Sequence, residues 1–147
     1  MSRKKIINEE VKFEEINPNG RPVISQTDIR GIITYTNSIF RKLSGYEKGE
    51  MIGKSHNIIR HPDMPKLVFE NLWDKILRGE KWQGVIKNLR KDGRYYWVEA
   101  HIAPIKRNNI IVGFISARRA ISDDIKKFYV RKYKEIKEKE IKNKYNY

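Results

Sequence analysis

The most informative stretch of the sequence is residues 56–65 (HNIIRHPDMP), hereafter the 56–65 segment. Arg60 offers a planar guanidinium fork and His61 a ring N–H, and both can donate to pyrophosphate oxygens or adenine nitrogens. The pair would therefore suit contact with a dinucleotide. The alternative is that Arg60 is a surface charge and that His61 is a loop residue held by Pro62.

Asp63 has a different expected task in the same segment. A carboxylate that pointed at a phosphate would repel it, so direct phosphate contact is not expected. The apolar pattern after Asp63 indicates a helix, and Asp is among the preferred N-cap residues. We therefore predict that Asp63 caps this helix, with an ordering contact to Arg60 or a contact to a ribose hydroxyl as alternatives.

Asn88 is the second candidate for ligand contact. It falls in phase with Trp82, Gly84 and Ile86 along a predicted strand. If those residues face a pocket, a buried amide at Asn88 needs a hydrogen-bond partner, and the edge of a flat ring with alternating carbonyl and N–H groups would supply one. Asn88 could instead bond to neighbouring backbone, and the opposite strand face is apolar enough to leave the phase open.

Asn37, Trp73 and Tyr96 complete the candidates drawn from the pattern. Asn37 precedes a helix, so it either reaches the same ring or acts as the N-cap. Trp73 lies at the helical spacing of a core residue. Tyr96 is in phase with Ala100 and would line the pocket, which leaves Trp97 facing outward, where the N-terminal segment or the tail helix could cover it.

Composition excludes several classes of function. The 147 residues contain no cysteine, which excludes disulfides, thiolate metal sites, cysteine nucleophiles and flavin photochemistry through a thiol adduct. With three histidines and no cysteine, a transition-metal cluster built by the protein is not expected. The residues near Asn88 also include no acid and base pair of the kind that an enzyme would use, so an enzyme is not expected. Five of the positive charges behind the net charge of +14 lie in residues 126–134 without an acidic residue, and Lys/Glu alternation continues to the end, the pattern of a solvated helix, so nucleic acid is not the expected partner.

No apolar run approaches the roughly 20 residues that cross a bilayer, and the polar start is unlike a secretory signal. We therefore expect a cytoplasmic protein without membrane insertion, although a partner could hold it at the inner membrane. The length fits one cored domain with terminal extensions.

The elements that must position these residues follow from periodicity and turn signals. A short amphipathic helix is predicted around 11–16, a helix from Asn37 to Gly45, a turn at 47–51, a long helix from Asp63 to Gly79, and a tail helix over 122–147. Strands are predicted at 22–27, 32–36, 82–91, 94–105 and 110–118, with hairpin turns at 92–93 and 108–109. This order predicts an α+β fold, a five-stranded antiparallel sheet with short helices on one face.

The order of elements and the phrase at 27–37 (TDIRGIITYTN), followed by Phe40 and residues 44–46 (SGY), resemble the opening half of a PAS domain. The second half is more specific, and its matching residues are the 56–65 segment, Phe69, 72–73, Gly79, 82–84, 87–88, 91–93 and 96–98. Together they resemble the FAD-binding PAS domain of the Aer aerotaxis transducers and of the short bacterial energy-taxis proteins of the CetB kind. The resemblance covers about residues 20 to 120.

The resemblance implies a domain that binds FAD non-covalently and reports its redox state, and so the status of electron transport, to a chemotaxis signalling domain. It also adds His56 to the candidate ligand contacts and raises the chance that Trp73 flanks the cofactor. The short form of the chain implies a separate membrane-bound transducer, contacted at its HAMP or signalling region, as the partner. The expected organisation is an N-terminal cap at 1–20, a PAS sensor domain at 21–120 and a signalling or interaction helix at 121–147.

Two other functions remain open from the sequence. One is a cofactor-free PAS module for dimerisation or adaptor contacts, because the incomplete apolar stripe of the tail helix suits a partner or a second copy of the chain. The other is a haem-based gas sensor, for which a single axial histidine such as His56 would suffice.

Overall fold

Residues 5–145 are described by the computed structural model, in which five antiparallel strands form one sheet of order β2-β1-β5-β4-β3. The strands are Val23–Asp28 (β1), Ile33–Thr36 (β2), Trp82–Leu89 (β3), Tyr95–Arg107 (β4) and Ile110–Arg119 (β5). The helices are Phe13–Ile16 (α1), Ser38–Ser44 (α2), Lys48–Met51 (α3), Lys66–Leu77 (α4) and Asp123–Tyr145 (α5), with a 3₁₀ turn at His56–Ile59. The predicted α+β fold is confirmed.

The two predicted hairpins form where the sequence supplies residues that accept a left-handed backbone. Gly93 has φ of 93° between β3 and β4, and Asn108 and Asn109 have φ of 52° and 63° between β4 and β5. In the β4-β5 turn, both central residues, Asn108 and Asn109, have positive φ, which matches the right-handed twist of paired strands. Asn tolerates this conformation better than most residues. These turns fix the long β3-β4-β5 ladder that carries most of the candidate site.

The inner face of the sheet is covered by α2, α3, α4 and the 3₁₀ turn. Helix α2 buries Phe40 and Leu43 fully, and α3 buries Met51. Helix α4 packs on β3 and β4 through Leu72 and Ile76. The 3₁₀ turn and the single helical turn of α3 had no periodic signal, since elements of four residues are too short to show one. Glu47 and Glu50 form a capping box that makes α3 a helix rather than the predicted turn.

The outer face is covered by the two ends of the chain. Residues 7–11 run beside the β3-β4 turn, where Val11 N–H donates to the Tyr95 carbonyl over 2.7 Å. Helix α5 crosses the same face, with the Tyr133 ring stacked on Trp97 at 6.3 Å between centroids. The expectation that a terminal segment covers the Trp97 indole is therefore met by α5. Within residues 5–145, no helix combines the length and apolar character needed to cross a bilayer.

The start of α4 differs from the prediction. Its N-cap position is Pro65, and the exposed Asp63 carboxylate binds the Lys87 ammonium at 3.1 Å instead of capping the helix. The caps come from Glu140 of α5, which accepts hydrogen bonds from the N–H groups of Lys66 and Leu67. The prediction that Asp63 caps α4 was therefore wrong. The carboxylate of Glu140, distant in sequence, takes the place that the local pattern assigned to Asp63.

His61 holds the loop between Arg60 and α4. Its side chain is 2% exposed, its Nδ1 accepts the Asp63 N–H at 3.0 Å, and its ring meets Tyr95 edge to face. Burial, reinforced by the Lys87 ammonium and opposed by Asp63, lowers the pKa of His61 from 6.5 to about 4. The folded protein therefore keeps this imidazole neutral near pH 7.

This pKa makes stability depend on pH. Because the pKa of His61 is lower in the folded state, the unfolded state binds more protons between pH 6.5 and 4. The contribution of His61 to stability is therefore complete above pH 6.5 and is lost as the pH falls from 6.5 to 4. We expect His61 to add up to about 1.4 kcal/mol per pH unit to the decline in unfolding free energy. Denaturant unfolding at pH 7, 6 and 5 measures the decline.

The matched variant is His61→Asn, whose side-chain oxygen can accept the Asp63 N–H without titrating. It should show a shallower decline than the parent protein over the same pH range. Equal slopes for the two proteins would show that His61 does not titrate in this way. His101→Asn, at a histidine that pairs with Glu99 on the outer face, controls for loss of any histidine.

Candidate functional site

A cavity of about 90 Å³ lies between the inner face of the sheet, α4 and the 3₁₀ turn. Its walls combine an apolar surface with a few polar side chains at one end, as is usual for small-molecule sites. The lining residues on the sheet are Ser25, Thr27, Ile86, Asn88, Ala100, Ile102, Phe114, Ser116 and Arg118, and those on the helical side are Gly31, His56, Asn57, Ile59, Arg60, Phe69, Leu72, Trp73 and Ile76.

Arg118, on the inner face of β5, is the main polar feature of this cavity. Its side chain is 6% exposed, and its guanidinium donates to the Ser25 hydroxyl at 2.8 Å and to His56 Nε2 at 3.0 Å. The guanidinium carbon lies 4.2 Å from the centre of the Phe40 ring. Within residues 5–145 none of its ion-pair or hydrogen-bond partners is a carboxylate, so the buried positive charge has only neutral neighbours.

The charge states of this cluster follow from the geometry. Burial lowers the pKa of Arg118 to about 10, which leaves the guanidinium charged at neutral pH. Burial, together with the Arg118 charge, lowers the pKa of His56 to about 3. Because a guanidinium can only donate, His56 Nε2 must accept, and the neutral ring then carries its proton on Nδ1. Arg118 is therefore the permanent charge at this end of the cavity.

Arg60 presents a second cationic group to the cavity. Its guanidinium lies over the Phe69 ring, 3.6 Å from the ring centre, and burial lowers the pKa of Arg60. Its Nε is buried without a hydrogen-bond partner within residues 5–145. A buried N–H of a cation without an acceptor is costly, so this atom is placed for an acceptor that the described part of the chain does not supply.

Asn88 lines the cavity from the edge strand β3 and is 5% exposed. Its backbone pairs with that of Arg60 in an isolated bridge, which ties the 56–65 segment to the sheet. Its cross-strand partner on β4 is Tyr96, fully buried, with its hydroxyl 3.3 Å from that of Ser44. Burial raises the pKa of Tyr96, so this phenol stays neutral and supports the wall that Asn88 presents.

The remaining wall is aromatic. Trp73 meets Phe114 edge to face at 5.8 Å, and its ring closes over Gly31. A Cβ at Gly31 would lie 3.0 Å from the Trp73 ring, and the φ of +82° there also favours glycine. Ala100, on the neighbouring strand β4, adds a small side chain to the lining.

Four of the candidates from the sequence meet at this cavity, namely His56, Arg60, Trp73 and Asn88. The other four lie elsewhere. Asn37 caps α2 through the Phe40 N–H and also binds the Ile24 N–H and the Pro22 carbonyl, so its amide is fully engaged.

His61, Asp63 and Tyr96 are displaced from the cavity for two reasons. The backbone turns after Arg60, so His61 and Asp63 fall on the side of Tyr95, Lys87 and α5. Tyr96 has the predicted inward phase, but its hydroxyl meets Ser44 of α2 and it is not part of the cavity lining.

Sequence reasoning missed Arg118, Ser25 and Ser116. The available signal was strand alternation, because Phe114, Ser116 and Arg118 share one face of β5 and a charge at the end of such a series is unusual. Within residues 5–145, no group of His, Cys, Asp and Glu side chains could hold a metal ion. The site's chemistry is therefore that of hydrogen-bond donors around an apolar cavity.

Comparison with known proteins agrees with this architecture. Residues 33–118 match the PAS-fold family. The chain is 42% identical over 102 residues to the aerotaxis receptor of Escherichia coli (strain K12), a stretch that covers 69% of this chain and 20% of that receptor. The chain thus spans about a fifth of the length of this curated relative.

Solved structures show the same fold. A light-oxygen-voltage domain studied with a flavin analogue superposes with a TM-score of 0.66 at 25% identity, over 79% of this chain and 87% of that one. The PAS domain of a protein from Colwellia psychrerythraea gives a TM-score of 0.57 at 31% identity, over 68% and 86% of the two chains. The predicted resemblance to the aerotaxis type is confirmed, and with the match over residues 33–118 the chain belongs to the PAS-fold family.

Proposed function

We propose that this PAS domain binds FAD and senses redox state, and that it signals electron-transport status to a membrane-bound chemotaxis transducer. The observation that carries the proposal is Arg118, a buried cation without a carboxylate partner among the described residues, in the wall of the cavity. A charge in that position is stable only if it is paired, and a ligand that accepts hydrogen bonds there would complete the pairing.

The residues present fit a flavin. Arg118 and Asn88 are donors on the sheet wall, Trp73 and Phe114 supply aromatic surface, and Arg60 offers an unpartnered N–H. When bound, a flavin supplies a ring that takes up one or two electrons, with a change in charge and hydrogen bonding at the ring nitrogens. Arg118 would respond to that change, because a buried guanidinium interacts strongly with any new charge beside it.

The chain's own residues keep this end of the site in a single state. His56, neutral because its pKa is about 3, and Ser25 hold the guanidinium of Arg118 by hydrogen bonds that persist at any pH near neutrality. Arg60 would hold the phosphate-bearing part through its guanidinium. Signalling then needs no acid or base catalyst, so we propose a sensor and not an enzyme.

The comparisons support the choice of cofactor and pathway. One relative is named as an aerotaxis receptor, and one structural neighbour is a light-oxygen-voltage domain studied with a flavin analogue. The chain spans about a fifth of the receptor. We propose a membrane-bound transducer, contacted at its HAMP or signalling region, as its partner. A second copy of the chain is a further partner, and we place the protein in the cytoplasm, at the inner membrane when bound to the transducer.

The geometry does not favour haem. His56 Nε2 faces the Arg118 guanidinium and the Ser25 hydroxyl, both at 3.0 Å. A metal ion at that nitrogen would have to displace both groups and would lie beside a buried positive charge. A cofactor held by hydrogen bonds is the better fit to this cluster.

The first test is the visible spectrum of the purified chain after incubation with excess FAD and desalting. We expect absorption bands near roughly 370 and 450 nm, which belong to a bound flavin. A Soret band would identify haem instead. A colourless protein would contradict FAD binding and favour a cofactor-free module for dimerisation or adaptor contacts.

The second test compares neighbouring arginines on opposite faces of β5. Arg118→Gln removes the buried charge and should weaken FAD binding by roughly 10- to 100-fold, the range for loss of a charged hydrogen bond. Arg119→Gln makes the same chemical change on the exposed outer face and should leave the affinity unchanged. Titration of FAD fluorescence gives both dissociation constants.

Thermal melts of the two variants show whether each is folded, since the two substitutions differ in burial. Equal FAD affinities for folded Arg118→Gln and Arg119→Gln would remove Arg118 from the site and, with it, the principal support for the proposal.

The third test separates two neighbours in the 56–65 segment. Arg60→Ala should weaken FAD binding by about 10-fold or more, because it removes the unpartnered donor in the cavity wall. His61→Asn should change the affinity by less than about threefold, because the His61 ring faces Tyr95 and not the cavity. Titration of FAD fluorescence again gives the dissociation constants. A larger loss of FAD affinity for His61→Asn than for Arg60→Ala would show that the cofactor lies on the other side of this segment.

A further inference from the structure

Helix α5 is attached to the first turn of α4 by a carboxylate. Glu140 Oε1 accepts the Lys66 N–H and Oε2 accepts the Leu67 N–H, each at 3.0 Å. The first N–H groups of a helix have no partner within the helix, and a negative charge is favourable at this end of the helix dipole. One side chain of α5 therefore supplies the N-terminal cap that no side chain of α4 or its preceding loop provides.

Two more contacts join α5 to the same region. The Lys137 ammonium lies 3.4 Å from the Met64 carbonyl, in the loop that leads into α4. The Tyr133 hydroxyl donates to the Val85 carbonyl of β3 at 2.6 Å, and its ring stacks on Trp97. Helix α5 thus spans from the outer face of the sheet to the start of α4 and links two elements that are adjacent to the cavity.

The helical wall of the cavity is held to the sheet by separate contacts and not by a continuous ladder. The sheet walls belong to continuous hydrogen-bonded ladders. On the helical side, the segment that carries Arg60 is joined to β3 by the bridge between Arg60 and Asn88, by the Lys87 N–H, which donates to the Met64 sulfur at 3.4 Å, and by the ion pair between Asp63 and the Lys87 ammonium at 3.1 Å. Phe69 and Trp73 stand on α4 itself.

The small size of the cavity indicates that this wall must move when a ligand binds. At about 90 Å³ the cavity is well below the roughly 300 Å³ at which ligand sites begin, so a flavin requires outward movement of a wall. Movement of α4 and its preceding loop would shift the Lys66 and Leu67 N–H groups away from Glu140. Cavity opening and α5 docking would then be linked equilibria, each of which shifts the other.

We propose that α5 is a strap that holds the helical wall of the cavity closed, with Glu140 as its fastening to α4. Opening of the wall breaks the Glu140 cap and loosens the C-terminal half of α5 from the domain. This coupling rests on the proposed function, because the occupant that opens the wall is the flavin. The fastening itself is a property of the protein without ligand.

The test compares Glu140→Ala with Glu135→Ala by hydrogen exchange and mass spectrometry in the absence of ligand. Glu135 is an exposed residue of the same helix and makes no hydrogen bond or ion pair within residues 5–145, so its substitution matches the loss of charge and the gain of alanine. In Glu140→Ala we expect exchange at the first turn of α4 and in the C-terminal half of α5 to accelerate by roughly fivefold, the factor typical of a lost helix cap. Identical exchange in the two variants would overturn the fastening.

The second measurement is the rate of FAD uptake by the same proteins, followed by stopped-flow fluorescence. Glu140→Ala should bind FAD faster than Glu135→Ala, because the wall opens more often. Faster exchange without faster uptake would overturn the role of α5 as a strap over the cavity. If the unmodified chain does not bind FAD at all, the proposed function fails, and hydrogen exchange still decides whether Glu140 fastens α5.

Discussion

The guanidinium of Arg118 is the interaction on which the rest of the site depends. A charged group withdrawn from water is stable in a protein only with compensating partners, and here the partners within residues 5–145 are a hydroxyl, an imidazole nitrogen, a backbone carbonyl and the face of Phe40. Each is neutral. The imidazole is held in one tautomer by the same contact, and burial together with the Arg118 charge keeps it neutral, so Arg118 is the charged group of this cluster.

The sheet divides the candidate residues between two faces with different tasks. Arg118, Asn88 and Ala100 lie on the inner face, where they shape the cavity. Trp97 and Lys87 lie on the outer face, where α5 and Asp63 meet them. The 56–65 segment crosses from one side to the other at Arg60, so a change at the inner wall reaches the outer face through one short stretch of backbone. In the proposed function, a ligand at the inner wall would act on the terminal helix through this stretch.

Periodicity and turn chemistry predicted most of the fold, because strand alternation, the Asp92-Gly93 and Asn108-Asn109 turns and the capping by Asn37 are local properties. The same alternation left the phase of Asn88 open, because both faces of its strand are apolar, and the structure places its side chain in the cavity wall. The capping of α4 could not be predicted in this way, since Glu140 is more than 70 residues from Lys66 in sequence. His61 and Asp63 were misplaced with respect to the cavity because a turn after Arg60 reverses the side on which they lie.

Arg118 was missed for a physical reason as well. A charged residue at the end of a strand usually lies at the surface, and only the packing of His56, Ser25 and Phe40 around it shows that it is enclosed. Its role can be measured directly by NMR of the arginine side-chain N–H groups as FAD is added. The resonances of Arg118 should shift and gain protection from exchange with water, while those of Arg119, exposed on the outer face, should not change. An Arg118 signal that stays constant while FAD binds elsewhere would contradict the assignment of the buried guanidinium to the cofactor.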